Sequence, residues 1–393
     1  MRPPEAMARA TLGLVWLLLT SCGDDDAEGP KTVENTGPDM FGNAPTGPDG
    51  GSNVPNFDAN VPEPTCGSEP FDATAVPPNV LLVIDKSGSM NDTPDGFSSD
   101  KWSSLKSSLE AAVAAVQDQL SLGLSLFPYP DGCQMPADTT PTVPIKPGPD
   151  ALPEILAALG SAVPAGGTPT AAALAAALDY FQSGAGAQLT GDRYVLLATD
   201  GGPNCDASLS CGADTCTVNL DGVCPAAVDN CCAESVMGQE ECLDADNTRA
   251  QIDALAAAGV QTLVVGIPGS EIYQGSLDSF AQSGGRANPD APPSYYAVNT
   301  SGEDIGGLTT VLREIAEALI RTCRLQLGSE PDDRDKLNVE VDGEVVPRGK
   351  SGWQLDESTD PPTVVMQGNV CGEIEAVGAK NVTVTFGCKT VIE

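Results

Sequence analysis

Chemistry-bearing residues gather where an apolar run stops. Val80-Leu81-Leu82-Val83-Ile84 is unbroken and rich in β-branched residues; Asp85, Ser87 and Ser89 follow, with Gly88 between the serines. Such a run is a strand buried on both faces, the mark of a parallel sheet. Its carboxyl end is where open α/β sheets bind their ligands. A carboxylate and two hydroxyls are hard oxygen donors of the kind Mg²⁺ or Mn²⁺ takes. The arrangement recurs once: the apolar run 194–198 ends in Thr199-Asp200-Gly201-Gly202.

Absences narrow the chemistry. None of the 393 residues is histidine, which removes Ser-His-Asp and Cys-His nucleophiles, the helical zinc-protease motif and histidine general bases. No GxGxxG loop follows the first strand, against a dinucleotide enzyme. The chain reads as a non-enzyme. Its 55 acidic residues against 19 basic give a net charge of −36, so it has nothing to neutralise a phosphate backbone and no nucleic-acid partner is expected.

The elements that must position these residues alternate. Trp102, Leu105, Leu109, Val113 and Val116 recur at helical spacing, which predicts a helix over 102–116. Strands are expected at 120–127 and at 142–146, the latter an edge strand between prolines. A helix over 152–159 follows, then Gly166-Gly167-Thr168-Pro169 opens an alanine-rich helix. Beyond the strand at 194–198 come helix 247–258, strand 261–267, helix 276–282, strand 295–298 and helix 303–320. This alternation predicts an α/β domain over 79–322, a doubly wound and mostly parallel six-stranded sheet. From 323 to 393 the pattern changes to strands. Residues 337–341 and 344–346 flank Asp342-Gly343, a hairpin turn, and 382–386 alternates again, predicting a small β-domain.

The N-terminus has a different character. Arg2 and Arg9 precede an apolar segment, 12–19, too short to span a bilayer and shaped like a signal-peptide core. It ends in Leu19-Thr20-Ser21-Cys22, which resembles the bacterial lipobox. The resemblance implies removal of residues 1–21 and lipidation of Cys22, hence a lipid anchor in the cell envelope. Gly23, rather than Asp, follows the cysteine, which favours the outer membrane of a Gram-negative bacterium. Residues 22–78 are nearly one-third Gly and Pro and read as a disordered tether. Between Cys22 and Cys66 its flexible-chain reach is about 35 Å. Thirteen cysteines, less one for lipid, leave an even number, as expected for disulfides in an exported chain.

Asp85, Ser87 and Ser89, then Thr168, then Asp200 with Gly201, resemble the metal-ion-dependent adhesion site of the von Willebrand factor type A domain. The likeness covers roughly residues 79–320. It implies one divalent cation, Mg²⁺ or Mn²⁺, with Ca²⁺ also compatible with oxygen donors. Ser87, Ser89 and Thr168 would supply neutral hydroxyls, with Asp85 and Asp200 acting directly or through water. An ion so held stays electron-poor, and a carboxylate from a protein partner fills its open position. The membrane is then met only through the lipid, and no small-molecule substrate is expected. The departure is a cysteine-rich insertion, 205–242, directly after Asp200.

Ordinary explanations exist for each residue. Thr168-Pro169 is what a helix N-cap with proline at the first helical position looks like. Asp85 and Asp200 suit loop caps, and the serines suit turns. Two other readings compete: a structural envelope protein whose ion only stabilises the fold, and a metal-dependent phosphatase of the haloacid dehalogenase type. The latter needs a second acid two residues after the first, where this chain has Ser87. The architecture implied by the resemblance also suggests disulfides Cys133–Cys205 on the rim, Cys66–Cys323 across the domain ends and Cys371–Cys388 in the β-domain. The other six insertion cysteines are left unassigned.

Overall fold

The structure, a computed structural model, describes residues 68–393 apart from 96, 131, 137–139, 299–305, 320–321 and 377–380. The expected signal segment, Cys22, most of the expected tether and Cys66 lie outside the described residues.

The chain opens with two short strands, β1 (Glu69–Phe71) and β2 (Ala73–Ala75). The α/β domain then runs β3 (Asn79–Asp85), α1 (Lys101–Ala114), β4 (Ser121–Phe127), β5 (Val143–Pro147), α2 (Gly148–Ser161), α3 (Thr170–Gln182) and β6 (Arg193–Thr199). A short α4 (Thr217–Leu220) lies in the insertion, followed by α5 (Ala245–Ala257), β7 (Val260–Gly266), α6 (Gln274–Ser283), β8 (Tyr296–Ala297) and α7 (Gly306–Leu319). The six strands form one sheet in the order β5-β4-β3-β6-β7-β8. All neighbours are parallel except β4 and β5. Every residue of β3 is buried, because helices cover both faces. Leu82 and Ile84 pack on the side of α1, α2 and α7, and Leu81 and Val83 on the side of α3, α5 and α6. The doubly wound, mostly parallel six-stranded sheet is therefore present.

Strand order decides where a ligand can bind. From β3 the chain crosses to β4 on one side and later returns to β6 on the other, so β3 and β6 flank the topological switch point. Their register pairs Ile84 with Ala198, which brings Asp85 and the Thr199-Asp200 end of β6 side by side.

The C-terminal part contains β9 (Arg324–Leu327), β10 (Leu337–Val341), β11 (Glu344–Val346), β12 (Trp353–Asp356), β13 (Thr363–Met366), α8 (Gly368–Ala376) and β14 (Val382–Phe386). Asp342 and Gly343 both adopt positive φ, 53° and 84°, as a two-residue hairpin requires. Two four-stranded sheets result, β1-β14-β10-β11 and β12-β13-β9-β2, packed over Trp353, Leu337, Val339, Val364 and Met366. The stretch expected to be tether up to residue 78 thus differs from residue 69 onward: β1 and β2 complete the β-domain. Ala73–Ala75 zips antiparallel to β9, pairing Ala73 with Leu327 and Ala75 with Leu325.

Two expected disulfides are corrected. Cys323 is bonded to Cys371, not Cys66, so Cys371 does not pair with Cys388, which is itself in a disulfide. The physical reason is α8, which carries Cys371 over the start of β9. Strand pairing of β2 with β9 does the work of holding the domain ends together. Cys133 is bonded to Cys205, with Cα atoms 5.4 Å apart. Within the insertion the pairs are Cys211–Cys242, Cys216–Cys232 and Cys224–Cys231. Among the described residues no helix is long and apolar enough to cross a membrane.

Candidate metal centre

Asp85 ends the central strand and is fully buried. Its Oδ1 accepts from the Ser87 amide at 2.8 Å and its Oδ2 from Thr199 Oγ1 at 2.6 Å. The first contact is an Asx turn, so Asp85 does shape its loop. No lysine or arginine among the described residues pairs with it. The chain turns after Asp85 through a short 3-10 helix, Gly88–Asn91, at whose N-terminus Ser87 makes no side-chain cap. Instead Ser87 Oγ and Ser89 Oγ share a hydrogen bond at 3.1 Å, and Ser89 Oγ donates to Asp200 Oδ1 at 2.9 Å.

Thr168 arrives on a separate loop. Helix α3 begins at Thr170, capped by Pro169 with no side-chain bond, so the Thr168 hydroxyl does not serve as the cap. The loop is clipped to the first one by Gly88 N–H donating to Gly166 O (2.9 Å) and Ala165 N–H to Lys86 O (2.8 Å). Gly166 holds φ +91°, and a Cβ there would collide with the backbone of Gly132. A Cβ built on Gly201 would lie 3.8 Å from Thr168 Oγ1 and 3.9 Å from Ser89 Oγ, so both hydroxyls border that glycine. The five side chains predicted from the sequence therefore converge on one rim. Four are buried, and Ser89 is partly exposed.

Residues outside the predicted set complete the arrangement. Thr199 holds Asp85, as above. Lys101, the first residue of α1, donates from Nζ to Asp200 Oδ2 at 2.7 Å. Asn204 Oδ1 accepts from the Thr168 amide at 2.7 Å, while Asn204 Nδ2 donates to Thr217 Oγ1 and to Glu241 Oε2 of the insertion. The Cys133–Cys205 bridge lies under the same loop: a Cβ on Gly167 would stand 2.7 Å from Cys205 Sγ. The insertion thus braces Thr168 from beneath. Thr199 and Asn204 were legible only as neighbours of Asp200, and Lys101 carried no local signal.

The surroundings of both aspartates disfavour their charged forms. Burial, reinforced by the nearby Asp200, pushes the Asp85 carboxyl up to about 7. Burial raises Asp200 as well, against the opposing pull of Lys101 and its hydrogen bond. Lys101 pairs with Asp200 alone, so the buried Asp85 carboxylate has no cation beside it, an arrangement that costs stability unless a further cation enters.

The donor set fits a hard divalent ion. It consists of carboxylate and hydroxyl oxygens with no sulfur or imidazole. Ser87 Oγ, Ser89 Oγ and Asp200 Oδ1 are linked in sequence by hydrogen bonds of 3.1 and 2.9 Å, close enough for neighbouring ligands of one such ion. Among the described residues, the one trio of acidic or cysteine ligand atoms within reach of a common ion is Cys211, Cys232 and Cys242. Their sulfurs are taken up in disulfides.

No family model matches the sequence, and no curated protein matches it. Solved structures similar to the chain include the pilus adhesin SpaC from Lactobacillus rhamnosus GG, at 13% identity and TM-score 0.43, covering 80% of this chain. The chain spans 40% of the length of SpaC. The vWF domain of the type V pili tip protein Mfa5 from Porphyromonas gingivalis aligns at 12% identity and TM-score 0.40, over 63% of this chain and 96% of that one. Manganese-loaded TRAP from Plasmodium vivax aligns at 16% identity and TM-score 0.39, over 64% and 76%.

Proposed function

We propose that this chain is a cell-envelope lipoprotein whose α/β domain binds one divalent cation and, through it, a carboxylate on a protein partner. Asp85, Ser87, Ser89, Thr168 and Asp200 hold Mg²⁺ or Mn²⁺. Cys22 carries the lipid, and the tether holds the domain clear of the membrane. The role is adhesion or assembly, not catalysis. The observation that carries this reading is the run of hydrogen-bonded oxygens from Ser87 through Ser89 to Asp200, all hard donors, set beside the buried Asp85 carboxylate, which has no cation beside it. Hydroxyl ligands add no charge, so the ion keeps its appetite for an anion.

Crosslinking on intact cells tests it, with and without chelator. Partner capture is expected to vanish on chelation, return with Mg²⁺ or Mn²⁺, and fail for a folded Asp85→Ala variant. Capture that ignores both chelator and variant overturns the proposal. Loss of thermal stability on chelation with capture intact would make the ion a structural one.

A further inference from the structure

We propose that Lys101 is a built-in counter-charge that makes the bound cation dependent on an anionic partner, and so sets the site's specificity for carboxylates. This rests on the metal-binding reading above. Lys101 neutralises Asp200 through the 2.7 Å contact to Oδ2, leaving Oδ1 turned to Ser89 and the rim. Among the five proposed ligands, Asp85 is then the one carboxylate with no cation beside it; Asp221, bonded by the Tyr273 hydroxyl, lies farther out, within electrostatic reach of Asp200 and Lys101. A divalent ion leaves a single positive charge in a buried setting, and one carboxylate from a partner cancels it. Without the lysine, two aspartates alone would neutralise the ion, and an incoming carboxylate would find no net charge to meet.

The placement of Lys101 is not explained by helix α1. It occupies the first helical position, where the helix dipole disfavours a cation, and the first turn holds no acid to offset it. Asp100 already caps the helix by accepting from the Ser103 amide. The lysine side chain is only 8% exposed, against 0% for Asp200. Room for it is kept by Gly269, at φ +112°, where a Cβ would stand 2.8 Å from Nζ and 3.2 Å from the Asp200 carbonyl oxygen. A long cationic side chain has been turned inward at a helix start, to one oxygen of one aspartate. As a positioning residue it also fixes which oxygen of Asp200 faces the rim.

The test titrates Mn²⁺ into the full chain, followed by spin resonance, and then acetate into the Mn²⁺-loaded protein, followed by water-proton relaxation. Lys101→Met and Lys101→Gln remove the charge, the second keeping a donor for Asp200; Lys101→Arg keeps the charge. Both neutral variants are expected to bind Mn²⁺ ~10-fold more tightly and acetate ~10-fold more weakly, while Lys101→Arg follows the wild type. A simple packing defect would not move the two affinities in opposite directions. Unchanged or weaker Mn²⁺ binding in the neutral variants, or unchanged acetate binding, overturns the proposal. So does unfolding of both neutral variants, which would make the lysine structural. A wild type that binds no Mn²⁺ overturns the proposed function, and this inference with it.

Discussion

Asp85 and Asp200 end adjacent strands, yet only Asp200 has a cation beside it. Asp85 relies on two hydrogen bonds. Thr199→Val removes one of them and leaves Oδ2 buried without a donor, so a loss of about 1–3 kcal/mol is expected in denaturant unfolding. The loss should shrink when Mn²⁺ is present, because the ion takes over the charge. Gly166→Ala forces a side chain into a left-handed backbone position against Gly132. We expect it to cost about 1–3 kcal/mol and to weaken Mn²⁺ binding by displacing Thr168. Four of the five oxygen-bearing residues were legible locally, since an acid after an apolar run is a one-dimensional signal. Thr168 entered through resemblance, and Lys101 was invisible, because nothing at a helix start foretells an aspartate 99 positions away.

Among elements, the central strands β3, β6 and β7 of the α/β domain were legible because burial on both faces leaves continuous apolar runs. The β-domain was half legible. Its hairpin announced itself through Asp342-Gly343, whereas β1 and β2 are three residues each, too short for alternation to register. They become strands only by pairing with β14 and β9. Helix α8 was also missed, since Gly368 and Gly372 within its nine residues weaken the helical signal, and the disulfide pairing failed with it. Peptide mapping under non-reducing conditions is expected to recover Cys323 joined to Cys371. Replacing both with Ser should cost about 2–4 kcal/mol in unfolding, the usual worth of closing a loop of this size. Trp353 is fully buried and its Nε1 donates to Val346 O at 3.0 Å. Trp353→Ala is expected to cost about 3–5 kcal/mol.

At the scale of the whole molecule, a net charge of −36 sets the terms for any encounter. Such a chain repels itself and anionic surfaces, so melting temperature should rise as NaCl is raised toward physiological strength, in calorimetry of the full chain. The insertion adds acids and no lysine or arginine between Cys205 and Cys242, which leaves the rim strongly acidic. A carboxylate-bearing partner would approach this face against the field, and only a bound cation reverses the sign locally. The account therefore stands or falls on that cation. The direct measurement is titration of Mn²⁺ into the full chain, compared with a folded Asp85→Ala variant. One ion bound per chain, lost in the variant, is the predicted result. No binding by the wild type, or equal binding by the variant, would contradict it.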